Sequence, residues 1–184
     1  MRVISGEAKG RRLKAPTGDR IRPTADRVKE TLFDILGERV QNARVLDLFA
    51  GTGSLGIEAL SRGARSVLFV DEAGEAIRLI SDNLERTEMG SRAEVWRSNA
   101  LSALARLKKL GRQFEIVLLD PPYGYGHIES IMRRLRRVRL SSRRGLIVIE
   151  HDKRTELPER FGSMQRLDQR RFGDTTVSFY EEAV

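Results

Sequence analysis

From Arg44 onward, five short apolar runs alternate with segments patterned for amphipathic helices. The runs are Val45-Leu-Asp-Leu-Phe49, Ser66-Val-Leu-Phe-Val-Asp71, Ala93-Glu-Val-Trp96, Phe114-Glu-Ile-Val-Leu-Leu-Asp120 and Gly145-Leu-Ile-Val-Ile-Glu150. A strand apolar along its whole length must be covered on both faces, which a parallel sheet between two helical layers achieves. Helices fit between the runs at residues 54–62, 73–87, 100–110 and 127–140. The tail is patterned differently. Met164 to Arg170 and Thr175 to Tyr180 alternate polar and apolar residues around Gly173-Asp174, as in a hairpin. The expectation is an α/β fold with a seven-stranded, mostly parallel sheet and a C-terminal antiparallel hairpin within residues 163–182.

The first 22 residues have another texture. Seven basic residues (Arg2, Lys9, Arg11, Arg12, Lys14, Arg20, Arg22) stand there against Glu7 and Asp19, punctuated by Gly6, Gly10, Pro16 and Gly18. They read as a basic arm of short strands and turns. Thr24 is placed as the N-cap of a helix carrying Val28, Leu32, Ile35 and Leu36 at helical spacing, with Gly37 as the stop. At 184 residues the chain has room for one domain. It divides into the arm (1–23), a leading helix (24–37) and the α/β core (44–184).

Composition narrows the chemistry. Without cysteine there is no disulfide, thiolate metal site or cysteine nucleophile. Methylation at C5 of a pyrimidine, which uses a covalent nucleophile, is thereby disfavoured. His127 and His151 are too few for a histidine-rich metal site and read as ordinary surface or loop residues. No run approaches the roughly 18 apolar residues of a membrane helix, and Met1 to Glu7 holds no apolar signal stretch. A cytoplasmic protein is expected. Lys+Arg exceed Asp+Glu by 34 to 26, and only six of these cations are lysine. Arginine forks onto phosphate and stacks on bases, so nucleic acid is a natural partner, although a GC-rich genome also replaces lysine with arginine.

Asp47-Leu-Phe-Ala-Gly51-Thr-Gly53-Ser-Leu-Gly56 directly follows the first apolar run and opens a helix. Glycines at such a turn let backbone approach a ligand. Asp71 ends the next run 20 residues after Gly51, placed to accept both ribose hydroxyls of an adenosine. The ligand is read as a nucleoside cofactor. Asp47 suits a cation better than a pyrophosphate, which favours S-adenosylmethionine over nicotinamide or flavin without deciding it.

Asp120-Pro121-Pro122-Tyr123 decides it. A planar amino group conjugated to a ring is a poor nucleophile because its lone pair is delocalised. Acceptors on its two N–H bonds, here the Asp120 carboxylate and the Pro121 carbonyl, favour the pyramidal, partly cationic transition state. The two prolines stiffen the turn, and Tyr123 offers a ring on which an extruded base can stack. No metal is needed.

These residues resemble the class I, Rossmann-like, S-adenosylmethionine-dependent methyltransferases that carry an Asp/Asn-Pro-Pro-Tyr/Phe signature. Further segments resemble the RsmD family: Arg2-Val-Ile-Ser-Gly6, Gly10-Arg-Arg-Leu13, Arg22-Pro-Thr-Ala-Asp-Arg-Val-Lys-Glu-Thr-Leu-Phe33, and Asp47 through Gly63. That family methylates N2 of a guanosine in bacterial 16S ribosomal RNA, so the resemblance implies this activity and the small ribosomal subunit as partner. It implies cofactor contacts from Asp47, Phe49, Gly51, Thr52, Gly53, Gly56, Asp71, Glu72, Asn99 and Ala100, with Asn99 facing the adenine. Asp120, Pro121, Pro122 and Tyr123 would hold the target base. Arg11, Arg12, Lys14, Arg22, Pro23, Thr24 and Arg27 would lie on RNA. A monomer is favoured, and no membrane or metal is involved.

The same signature serves N6-adenine methyltransferases and protein-glutamine methyltransferases, and a fold-only RNA-binding assembly protein is the non-enzymatic alternative. The short chain leaves no room for a DNA target-recognition region, and the basic arm replaces the helical domain of the glutamine enzymes. The helix at 127–140, with Arg133, Arg134, Arg136, Arg137 and Arg139 beside its apolar face, reads either as a phosphate grip or as a solvated surface. Glu150-His151-Asp152 reads either as pocket lining or as a strand-end turn. Asn83 and Trp96 are assigned to helix surface and strand packing.

Overall fold

The computed structural model describes residues 1–16, 23–122, 126, 128–136 and 145–182, with the side chains of 23–25 left aside. The chain runs through α1 (Pro23–Leu36), a 3₁₀ turn (Gly37–Val40), β1 (Arg44–Leu48), α2 (Ser54–Ser61), β2 (Ser66–Asp71), α3 (Gly74–Thr87), β3 (Ala93–Arg97) and α4 (Ala100–Lys109). It continues with β4 (Ile116–Leu119), α5 (Ile128–Leu135), β5 (Leu146–Asp152), β6 (Arg160–Phe161), β7 (Met164–Phe172) and β8 (Thr175–Glu182). The sheet order is β3-β2-β1-β4-β5-β8-β7-β6. The first five strands pair in parallel, and β8, β7 and β6 are antiparallel to their neighbours.

Each central strand is apolar on both faces because both faces are covered. Val45, Val67, Phe69, Leu118 and Val148 pack with α1, α2 and α3 on one side. Leu46, Leu48, Val70, Ile147 and Ile149 pack with α4 and α5 on the other. The hairpin turns at Gly173, whose φ of +61° is open to a residue without Cβ. Its later strand, β8, inserts beside β5, so all of its residues from Thr175 to Tyr180 are buried.

Several expectations change. The sheet has eight strands, since the two-residue β6 caps the outer edge of β7 where Phe161 packs on Tyr180. The leading helix begins at Pro23, the position where a missing N–H costs nothing, so Thr24 lies inside the first turn and is not the N-cap. The fifth helix spans Ile128–Leu135, shorter than 127–140, and the stretch from Arg137 to Arg144 lies outside the described residues. His151 is no surface histidine. It is buried under β8, with Nε2 2.9 Å from Ser178 Oγ, and burial lowers its pKa.

The N-terminal segment is stitched to the core instead of lying free. Arg2 and Arg12 form an antiparallel bridge. The Glu58 carboxylate on α2, fully buried, accepts from the amides of Ile4 (2.8 Å) and Ser5 (3.0 Å) and from Arg62 Nε (2.9 Å). Lys29 Nζ of α1 lies 3.5 Å away. Asn83, expected on a helix surface, is fully buried on α3: its side chain accepts from Lys14 N and donates to the carbonyls of Lys14 and Thr52. An amide with both ends satisfied by backbone explains a polar residue at a buried helical position. Trp96 is buried as expected, with the Arg106 guanidinium 4.0 Å above its ring.

Replacing Glu58 by Gln removes the buried counter-charge that Lys29 and Arg62 share, leaving Arg62 only the exposed Asp34. The expected loss is about 3–5 kcal/mol, the scale for breaking a buried ion pair. Urea unfolding of Glu58→Gln beside the parent checks this, and a loss below about 1 kcal/mol would mean the cluster behaves as a surface ion pair.

Candidate active site

The carboxyl ends of β1, β2, β4 and β5 and the turn after β3 open onto a cavity of about 800 Å³. This is the size of a pocket that encloses a small organic ligand, at the switch point where the strand order reverses after β1.

The glycine loop forms one wall. The chain doubles back after β1, and the amides of Phe49 and Ala50 both donate to Val70 O at 3.0 Å. Phe49 takes φ +71°, a strained value for a side chain of its size, followed by Gly51 at +55° and Gly53 at +77°. Gly56 is required for a different reason. A Cβ there would sit 2.2 Å from Phe69 Cε1 and 2.9 Å from Asp47 Oδ2. Its amide instead donates to Asp47 Oδ2 at 2.9 Å, fixing a carboxylate that is only 1% exposed. Asp71, at the end of β2, is held by the amides of Gly51 and Ala73, both at 2.9 Å. The 20-residue spacing noted above is therefore a direct contact between the loop and the acid. Glu72 stands beside it on the cavity wall, and Thr52 lines the loop side.

After β3, Asn99 caps α4 by accepting from Ser102 N at 2.9 Å, which leaves its NH₂ as a donor at the cavity. Ala100 lies beside it. Asp120 and Pro122, past the end of β4, also line the cavity, while Pro121 is buried. Tyr123 and Arg22 fall outside the described residues. Pro23 and Thr24 contribute helical backbone, and Arg27 is exposed on α1.

The basic arm divides in two. Arg11 Nη1 donates to Glu88 Oε1 and Arg86 O, both at 2.8 Å, and Lys14 Nζ meets Asp82 Oδ2 at 2.7 Å. These cations face α3. Arg12 is exposed and makes no ion pair among the described residues. Met1, Ala15 and Pro16 line the cavity, so the segment assigned to RNA also forms a cavity wall.

The sequence reading missed Lys29 and did not single out Ser54 within the glycine loop; both line the cavity. A signal was present. Lys29 lies three, four and seven residues before Leu32, Phe33 and Leu36, on the stripe that α1 buries. A lysine on an apolar stripe marks a buried charge with a partner. Glu150 also lines the cavity, whereas His151 points to the other face of the strand and bonds Ser178.

The cavity's charge is one-sided. Asp47, Asp71, Glu72, Glu75, Asp120 and Glu150 line it, with Lys29 as the one cation among the described lining residues. Burial pushes the Asp47 carboxyl up to about 7, against the Gly56 amide, with the charges of Asp120 and Asp71 adding to the rise. Asp120 opens onto the cavity, yet the surrounding protein desolvates its carboxyl and pushes it up to about 6. Such a site accepts a ligand with cationic centres and repels a pyrophosphate. S-adenosylmethionine, with an ammonium and a sulfonium, fits that donor set.

A Rossmann-like sheet with an antiparallel strand inserted beside β5, an acidic cavity and an Asp-Pro-Pro segment at the switch point defines a class I S-adenosylmethionine-dependent methyltransferase. The chain is similar over 182 residues (99% of each chain) to the Bacillus subtilis protein YlbH, at 41% identity. It is 37% identical to ribosomal RNA small subunit methyltransferase D of Escherichia coli K12, over 86% of this chain and 78% of that one. The solved structure of Escherichia coli YhhF superposes with a TM-score of 0.87 at 33% identity, covering 100% of this chain and 98% of that one. A Haemophilus influenzae structure does so at 0.78 and 30% identity, covering 100% and 98%. The family model described as conserved hypothetical protein 95 matches residues 1–181, and the chain belongs to this family, that of RsmD.

Two outcomes are expected. Gly56→Ala drives a methyl group into Phe69 and Asp47, so cofactor binding measured by calorimetry should fall at least tenfold. Separately, a raised carboxyl pKa means that the native state binds protons the unfolded chain has released. Stability of the cofactor-free protein should therefore fall as pH rises from about 4 towards 7. Asp47→Asn should flatten that slope in thermal melts across this range; an unchanged slope would remove Asp47 as its source.

Proposed function

We propose that the protein methylates the exocyclic N2 amino group of a guanine in small-subunit ribosomal RNA. The observation that carries this reading is Asp120, held at the cavity's mouth beside the rigid Pro121-Pro122 turn. The Escherichia coli relative's name supports small-subunit ribosomal RNA as the substrate. When bound, S-adenosylmethionine would supply an electrophilic methyl group, its S–CH₃ bond breaking with the electron pair left on sulfur as the thioether S-adenosylhomocysteine. Asp71 and Glu72 would hold its ribose, Asn99 and Ala100 its adenine, and Asp47 with the Gly51–Gly56 loop its cationic end.

The chain's own work is on the nucleophile. The Asp120 carboxylate accepts one N–H of the guanine amino group, and the Pro121 carbonyl accepts the other. These bonds draw the nitrogen out of conjugation and point its lone pair away from the ring. As the nitrogen forms its new bond to carbon it gains positive charge, and Asp120 interacts more strongly with that state than with the neutral base. The surplus proton then passes to Asp120, whose raised pKa suits it to take a proton and return it to solvent. Tyr123 supplies the stacking surface for the base. Arg12 and Arg27, exposed and without ion pairs among the described residues, contact phosphates, joined by Arg22, the residue before Pro23 in the sequence. Arg11 and Lys14 join them only by leaving Glu88 and Asp82, exposed pairs of the kind worth less than about 1 kcal/mol.

Single-turnover methylation of 30S subunits at saturating cofactor tests the mechanism. Asp120→Ala should slow turnover by about 10²-fold or more, the loss typical of one preorganised electrostatic contact, with cofactor affinity retained. Tyr123→Phe should keep most activity and Tyr123→Ala should not. The parent rate should rise with pH as Asp120 ionises, with a midpoint at or below about 6 because the cofactor's positive charge favours the carboxylate. Turnover of Asp120→Ala near the parent rate would reject the mechanism, and nucleoside mass mapping of the product would reject guanine N2 if the methyl group lies elsewhere.

A further inference from the structure

S-adenosylmethionine carries two cationic centres and one carboxylate. The carboxylates of the cavity answer the cations but work against the ligand's own carboxylate, which needs a positive or hydrogen-bond-donating partner. Lys29 is the one cation among the described residues that line the cavity. Its side chain is 4% exposed and reaches the cavity from α1. Nζ donates to Arg2 O at 2.6 Å and to Ser54 Oγ at 3.1 Å, and its third proton is directed to Glu58 Oε2 at 3.5 Å.

All three ammonium protons are therefore engaged, and Lys29 acts on a ligand through the group it holds. Ser54 opens α2 and lines the same cavity. Because its Oγ receives the Lys29 proton, its own hydroxyl proton has no acceptor among the described residues. It is free to turn towards a ligand. Lys29 and Arg62 share the carboxylate of Glu58, the exposed Asp34 meets Arg62 at 3.4 Å, and Asp26 acts on Lys29 from the same helix, so Lys29 is the cation that the cavity presents beside Ser54.

We propose that Lys29 is a positioning residue for the α-carboxylate of the cofactor's methionine moiety, with the Ser54 hydroxyl as the group that touches it. This rests on the reading of the cavity as an S-adenosylmethionine site. The arrangement separates the two ends of the amino acid. Asp47, on the strand side of the loop, meets the ammonium, and Ser54 with Lys29 behind it meets the carboxylate. A zwitterion gripped at both ends has one orientation about the sulfonium. A desolvated lysine also gains from the arrangement, since burial depresses its pKa and a ligand carboxylate beside Ser54 restores its charged form.

The experiment compares calorimetric affinities for S-adenosylmethionine and for decarboxylated S-adenosylmethionine, which keeps both cationic centres and the nucleoside. The parent should prefer the carboxylated form by about tenfold or more, the scale of one hydrogen bond to a charged group. Ser54→Ala and Lys29→Met should each erase most of that preference while leaving affinity for the decarboxylated form within about twofold of the parent. Lys29→Arg, which keeps the charge, should retain part of it. Ser54→Ala removes only a hydroxyl from a half-buried position, so the test stands even if Lys29→Met does not fold. Equal affinity of the parent for the two ligands overturns the proposal. So does a Lys29→Met variant weakened towards both ligands alike beside an unaffected Ser54→Ala, because that is the signature of a purely structural lysine. If the parent binds neither ligand, the cofactor reading of the cavity falls first and takes this assignment with it.

Discussion

A carboxylate with no solvent exposure, Glu58, is the interaction on which the arrangement of the site depends. Desolvating an ion costs several kcal/mol, and only a full set of partners offsets it. Glu58 finds them on three separate pieces of chain: the Ile4 and Ser5 amides, Lys29 on α1 and Arg62 on its own helix. The same cluster therefore orients α1, docks the N-terminal segment and places Lys29 against the cavity. The segment's other attachments, Ala8 N to Ser61 Oγ and Lys14 to Asn83, follow the same face of the core. Met1, Ala15 and Pro16 reach the cavity wall because the chain between them is pinned at both ends.

The cavity itself is built against stability. Asp47, Asp71 and Asp120 stand at the ends of neighbouring strands, close enough that the charges of the other two help to raise the Asp47 pKa. Hydrophobic side chains at these positions would make a tighter core. Carboxylates are tolerated there because a cationic ligand relieves their repulsion, so the free energy lost in the empty protein returns as binding. Backbone strain follows the same logic. Phe49, at φ +71°, is held by paired amides to Val70 and by packing on the strand layer below.

The excess of basic residues serves two purposes that composition cannot separate. Arg11, Lys14, Arg62, Arg92 and Arg112 are committed to carboxylates of the same chain. Arg106 covers the face of Trp96 at the β3 edge of the sheet. Others, Arg12, Arg27, Arg133 and Arg134 among them, stay exposed and free of ion pairs among the described residues. Only part of the net charge is therefore available to phosphate. In the proposed reaction, electrostatic attraction would bring RNA to the protein, while the Asp-Pro-Pro segment would select the group that reacts.

The parallel sheet, the order of its helices, the glycine loop and the Asp120 turn were legible in the sequence because each rests on local rules. Apolar runs of strand length, 3.6-residue periodicity, glycine where backbone must bend and proline where it must not all act over a few residues. Asp71 was legible too, since the loop-to-acid spacing is fixed by one strand-helix-strand unit. What lay beyond reach depends on groups far apart in the chain. Arg11 with Glu88, Asn83 with Lys14, and Glu58 with Ile4 and Ser5 are separated by 77, 69, 54 and 53 residues. A side chain's periodicity shows that it is buried or exposed, not which partner it meets. Lys29 shows the boundary. Its position on the apolar stripe of α1 is written in the sequence. Its bonds to Ser54 and Arg2, and its place at the cavity, were decided only when tertiary packing brought three segments around one buried carboxylate.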